Sequence, residues 1–146
     1  NCNKYVACDI SSVILERNQQ SHQYENLEFK KINLAEDKLP KGDLAFVRQV
    51  LQHLSNREIK KFVDYLNKVK PYQHLLVTEG LPSEKGFKPN IDKPSGSNTR
   101  FLLSSGIELH KDPFLLEYKS KSIICQVNKK TVGTDAIIRS TLYELT

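Results

Sequence analysis

The sequence predicts an α/β fold built on a mostly parallel sheet. Short apolar runs that read as strands alternate with helix-compatible stretches in the order β-α-β-β-α-β, and two β-rich runs close the chain. With 146 residues, 38% apolar and 27% charged, there is material for one core-bearing domain of ordinary size. The same composition excludes a disordered tail or a fibrous repeat.

Tyr5 to Ile10 is a short apolar run interrupted by an acid, and Ser11 and Ser12 then offer N-caps to the helix-compatible stretch from Val13. Leu27 to Leu34 alternates enough for a strand with one exposed side, and the turn-like stretch 36–43 leads into Leu44 to Val47, which reads as a buried strand. Ser55-Asn56-Arg57-Glu58 has the form of a capping box, with hydroxyl and carboxylate each serving the other residue's backbone N–H. Ile59, Phe62, Val63, Leu66 and Val69 follow as one helical stripe, and Pro71 predicts a stop near Lys68. His74 to Glu79 is a further buried strand with a polar end. Residues 80–100 hold Gly80, Gly86 and Gly96 with Pro82, Pro89 and Pro94, a loop that is either mobile or a lid, and 80–114 reads as the variable region. Lys121 to Val127 and Ala136 to Leu145 read as an antiparallel hairpin turned by Gly133 and Asp135.

No apolar run approaches the ~20 residues that span a bilayer, and the first residues lack the pattern of a signal peptide, so the expectation is a cytoplasmic protein with no membrane partner. The net charge of +5 is spread evenly: 12 basic and 9 acidic residues up to position 70, 10 and 8 after it. The doublets Lys30-Lys31, Lys60-Lys61 and Lys129-Lys130 fall on different elements without interleaved aromatics, which argues for a solvated surface rather than a nucleic-acid groove. Cys2, Cys8 and Cys125 form no C-x-x-C pair, and Cys8 and Cys125 sit in apolar runs, the pattern of buried free thiols. His22, His53, His74 and His110 are scattered singly, so no metal is expected.

The residue that first suggests a site is Asp9. An acid at the C-terminal tip of a strand in a parallel sheet lies where such sheets bind ligands, and its carboxylate can accept from both hydroxyls of a ribose while Ile10 lies against adenine. An Asp in this place serves equally well as a helix N-cap.

Taken in order, Tyr5 to Asp9, Phe29 to Leu34, Asp43 to Asn56 and Leu75 to Glu79 resemble a class I S-adenosylmethionine-dependent methyltransferase. Arg48 to Ser55 is similar to the post-strand stretch R-D-x-L-x-H-L-S of one subgroup. That subgroup's distal pattern is matched by Asn90-Ile91-Asp92, Arg100, Phe101 to Leu103 and Pro113-Phe114. The resemblance implies a Rossmann-like sheet with a C-terminal antiparallel hairpin, and methyl transfer from S-adenosylmethionine to a small-molecule acceptor.

Carried over by position, the resemblance makes Asp9 the ribose ligand and Ile10 part of the adenine pocket. It sets Asn33 and Leu34 at the adenine edge, Asn33 standing where the family has Asp. Arg48 and Gln49 would meet the methionine end. Methyl transfer is an in-line displacement in which positioning dominates, so a base is needed only if the acceptor must lose a proton; His53 is the first candidate and Glu79 the second. Each residue also has a plain structural reading. Asn33 suits a turn, Arg48 an ion pair with a surface acid, His53 a bond to local backbone, and Glu79 a structural role.

The family's glycine-rich turn has no counterpart, since no glycine precedes Gly42. The expectation is a sheet lacking its first strand, with Lys4 to Cys8 and Leu44 to Val47 facing an empty row of hydrogen-bonding groups. A second polypeptide segment or self-association would complete it, and this chain alone would be inactive. The alternative is a catalytically degenerate methyltransferase fold acting as a binding or scaffolding protein.

Overall fold

A computed structural model describes residues 2–131 and 134–145, without the side chains of residues 129–131, 134 and 135. The elements are β1 (Tyr5–Asp9), α1 (Ser12–Ser21), β2 (Leu27–Lys31), β3 (Gly42–Arg48), a 3-10 turn at Leu51–His53, α2 (Asn56–Val69), β4 (Tyr72–Pro82), a second 3-10 turn at Arg100–Leu103, β5 (Ser120–Thr131) and β6 (Thr134–Glu144). They fall into two compact units, residues 1–40 and 41–146.

In the first unit β1 and β2 run parallel, from Tyr5 opposite Leu27 to Asp9 opposite Lys31. Helix α1 starts where Ser11 takes extended backbone and its hydroxyl accepts the Ile14 N–H. Leu15 is the one buried residue of that helix, so it is held by little apolar area.

The second unit is a four-stranded sheet in the order β3-β4-β6-β5, with β3 and β4 parallel and the β4-β6 and β6-β5 ladders antiparallel. The parallel pairs followed by a closing antiparallel hairpin are the architecture the element order predicts. Helix α2 opens on the capping box of Ser55 and Glu58 and ends at Lys70, whose left-handed φ of 48° stops the helix before Pro71. Its stripe is buried at Ile59, Phe62, Val63 and Leu66, while Val69 in the last turn is exposed. The core gathers these with Leu51, Leu75, Val77, Leu109 and Phe114.

Two expectations are corrected. Strand β3 is not buried: Val47 is, but Leu44 is 55% and Phe46 50% exposed. The strand lies at the sheet edge, and Phe46 shares a face with Leu76, Leu142 and Ile138, which are half-buried, and with the exposed Val127. Cys8 and Cys125 are free but exposed, as is Cys2. An apolar run is buried on both faces only where both faces of its sheet are covered, and neither β1 nor β5 has that cover. Among the described residues β1 pairs with β2 alone and β3 with β4 alone. The turn expected at Gly133 lies outside the described residues, as does the Asp135 side chain. No described helix is long and apolar enough to cross a membrane.

Candidate functional site

The predicted site residues fall into two groups, each within its own unit. In the first, the chain leaves β2 still tracking β1, because the Ile32 N–H donates to the Asp9 carbonyl at 3.0 Å. Asp9 is therefore set beside the segment that carries Asn33 and Leu34. Its Oδ1 accepts the Ser11 N–H at 2.8 Å, which fixes Ser11, the actual N-cap, rather than capping α1 itself. Oδ2 has no donor among the described residues. Ile10 next to it is 60% exposed, and Leu34 is half-buried.

Asn33 is occupied by a turn of its own making. Its Oδ1 accepts the Ala35 N–H at 3.0 Å, its N–H donates to Asp37 at 2.7 Å, and its carbonyl accepts from Glu36 and Asp37 at 3.1 and 2.9 Å. This is an Asx turn, so the amide oxygen already has a donor.

In the second unit Arg48 ends β3, exposed and with no ion pair among the described residues. Gln49 then takes a left-handed φ of 53° while its N–H still donates to the Thr78 carbonyl at 2.8 Å, and this swings the chain off the ladder into the first 3-10 turn. That turn is seated on Glu79, which accepts the Leu51 N–H at 2.9 Å and the Gln52 N–H at 3.3 Å. Glu79 is 3% exposed. Burial pushes its carboxyl up to about 7, against the opposing pull of the Leu51, Gln52 and Val50 N–H groups and the Arg100 charge.

His53 closes the turn. Its Nδ1 lies 3.3 Å from the Gly96 carbonyl and its Nε2 3.4 Å from the Gln52 amide nitrogen, a pairing that assigns the proton to Nδ1 and leaves Nε2 as acceptor. The ring thus bonds a backbone carbonyl 43 positions away rather than the local backbone expected of it.

The segment expected as a lid is fastened over most of its length. Asn90 is buried, donating to the Glu108 and Asp112 carbonyls at 2.9 and 2.8 Å and accepting the Glu108 N–H at 2.9 Å. Asp92 accepts the Asn56 N–H at 2.7 Å at the start of α2, and the Ser95 hydroxyl donates to Glu58. A methyl group on Gly80 would run into the Phe101 ring, so β4 can bear this loop only because it carries glycine there. Residues 83–86 remain exposed.

Arg100 is the residue whose part sequence reasoning missed. It is 1% exposed, and its guanidinium donates to the Leu51 carbonyl at 3.0 Å, the Ile91 carbonyl at 3.0 Å and Asn56 Oδ1 at 2.7 Å. The signal was present, since an arginine directly before Phe-Leu-Leu sits in an apolar run and must find acceptors if it is buried.

No family model matches the sequence, and no curated protein matches it. Solved structures do share its fold. Human N-acetylserotonin methyltransferase in complex with SAM is similar at a TM-score of 0.55 and 18% identity, over 98% of this chain and 41% of that one. N-methyltransferase NodS from Bradyrhizobium japonicum, in complex with S-adenosyl-L-homocysteine, is similar at a TM-score of 0.58 and 14% identity, over 97% of this chain and 67% of NodS. The methyltransferase domain of bacterial CtHen1 is similar at a TM-score of 0.61 and 13% identity, over 98% of this chain and 78% of that one. The chain therefore spans well under half of the first of these proteins and larger shares of the other two. It has the fold of the class I S-adenosylmethionine-dependent methyltransferases.

Proposed function

We propose that the protein acts in methyl transfer from S-adenosylmethionine to a small-molecule acceptor. The observation that carries this reading is Asp9: a carboxylate at the tip of a parallel strand, with one oxygen fixed on Ser11 and the other without a donor among the described residues, in a fold whose solved examples hold SAM or S-adenosyl-L-homocysteine. Ile10 and Leu34 supply apolar surface for adenine. Asn33 contributes through the shape of its turn rather than its amide oxygen. The assignment of Arg48 and Gln49 to the methionine moiety follows from the resemblance, supported by the left-handed Gln49 that turns the backbone at the strand end. Bound S-adenosylmethionine supplies the electrophilic methyl group. Where the acceptor must lose a proton, His53 Nε2 is the base, because Glu79 is buried with both oxygens on backbone N–H groups, whereas Nε2 has a single contact among the described residues, the Gln52 amide at 3.4 Å. The exposed residues 83–86 are the mobile part of the proposed lid.

The test is titration of S-adenosyl-L-homocysteine into the protein by calorimetry. Asp9→Ala is expected to lose about 1.5 to 3 kcal/mol, more than about tenfold in Kd. Asp9→Asn, which keeps an acceptor for Ser11 but removes the charge, separates ribose binding from loss of the local turn and is expected to weaken binding as well. Unchanged affinity in both variants refutes the assignment. Binding by neither variant nor wild type favours the alternative, a methyltransferase fold used for scaffolding.

A further inference from the structure

The turn between β3 and α2 is gripped at one peptide from both ends. Leu51 gives its N–H to Glu79 and receives the Arg100 guanidinium at its carbonyl, while Gln52 gives its N–H to the second oxygen of Glu79. Both charged side chains lie inside the unit, at 3% and 1% exposure. The gripped turn carries His53 and directly follows Arg48 and Gln49 at the end of β3. We propose that Glu79 and Arg100 are positioning residues and that Glu79 is a proton-operated latch, holding the turn in its cofactor-binding shape as the carboxylate and releasing it when protonated. This rests on the functional reading above.

The chemistry of the carboxyl group makes the latch two-state. As a carboxylate it offers an acceptor oxygen to each of the two N–H groups, and both bonds are charge-assisted. Once protonated, one oxygen becomes a hydroxyl donor that no longer serves a backbone N–H, and one of the two backbone bonds is lost. The groups that face Glu79 do not pre-empt this. From the turn come only N–H donors, from the second 3-10 turn comes Arg100, and from β6 come Arg139, its register partner, with Thr141 and Tyr143 around a cavity of about 20 Å³. Arg139 is engaged elsewhere, donating from Nε to Gln126 at 3.0 Å. With its carboxyl held at about 7, the latch works across neutral pH.

Stability and affinity then respond to pH in opposite directions, which a merely structural carboxylate would not produce. A folded-state pKa raised above the ordinary 4.5 stabilises the fold fully below 4.5, and that contribution is lost as pH rises through about 7. Cofactor affinity instead falls as pH drops, by the fraction of latched molecules.

The experiment follows the Leu51 and Gln52 amide resonances by NMR and the affinity for S-adenosyl-L-homocysteine, from about pH 8 to about pH 6, in wild type and Glu79→Gln. The expected result is that both amides titrate together near neutrality in wild type only, and that wild-type affinity falls up to about tenfold while that of Glu79→Gln stays flat. Over the same interval the wild-type thermal midpoint, referenced to Glu79→Gln, rises. Amides that do not titrate, or a wild-type affinity that is flat, overturn the latch using wild type alone. If S-adenosyl-L-homocysteine binds at no pH, the functional reading fails, while the amides still decide whether the latch exists.

Discussion

His110 stands between a cation and a phenol. Lys121 Nζ lies 2.9 Å from its Nε2 and Tyr143 Oη 3.4 Å from its Nδ1, with the Tyr118 ring edge-on at 6.1 Å. An ammonium can only donate, so Nε2 must be bare and the ring neutral. Burial, then Lys121, hold the pKa below the ordinary 6.5, with Lys111 adding to this and Glu108 opposing it. A histidine whose folded pKa is depressed contributes fully above 6.5 and loses that contribution as pH falls through the folded value. Wild type is therefore predicted to lose thermal stability relative to His110→Gln on acidification below about pH 6.5; parallel melting curves would refute it. None of this was legible in the sequence, where His110 is one isolated histidine whose partners lie 11 and 33 positions away. The place of Asp9 at a strand tip was legible because it depends only on the strand before it and the helix after it.

The start of α2 shows what local chemistry can specify. Ser55 Oγ accepts the Glu58 N–H at 3.4 Å, and the Glu58 carboxylate accepts the Ser55 N–H at 3.1 Å and its hydroxyl at 2.6 Å. The Ser55 and Ser95 hydrogen bonds hold the Glu58 carboxyl below its usual range. Ser55→Ala should cost about 1 kcal/mol, seen as a fall of about 2–4 °C in thermal midpoint, with Ser55→Thr, which keeps the hydroxyl as acceptor and donor, restoring most of it. A drop no larger than that of an exposed control such as Arg57→Ala would show the box to be idle. Capping box and stripe could be read because both lie within two helical turns. The burial of β3 could not, because Leu44 and Phe46 are apolar whichever side of the sheet is covered. The anchoring of residues 88–106 escaped for a related reason: Gly and Pro mark a loop, but its fastening depends on Asn56 and Leu51, more than thirty positions away.

At the scale of the whole chain, the parallel ladders and the closing antiparallel hairpin followed from the succession of elements, whereas the strand order β3-β4-β6-β5 and the division at residue 40 did not. On one face of the second sheet Phe46 at 50% and Val127 at 57% exposure are apolar side chains that already meet water in the folded chain. Water that orders around those side chains does so before unfolding as well as after, so they add little to the heat capacity gained on unfolding. For 146 residues the usual increment would be about 1.8–2.2 kcal/mol/K. Scanning calorimetry is predicted to give a value clearly below that range, and a value within it would mean the face is covered in solution. A small heat-capacity increment flattens the dependence of stability on temperature, so cooling would weaken this fold less than it weakens a chain of equal length with both sheet faces dry.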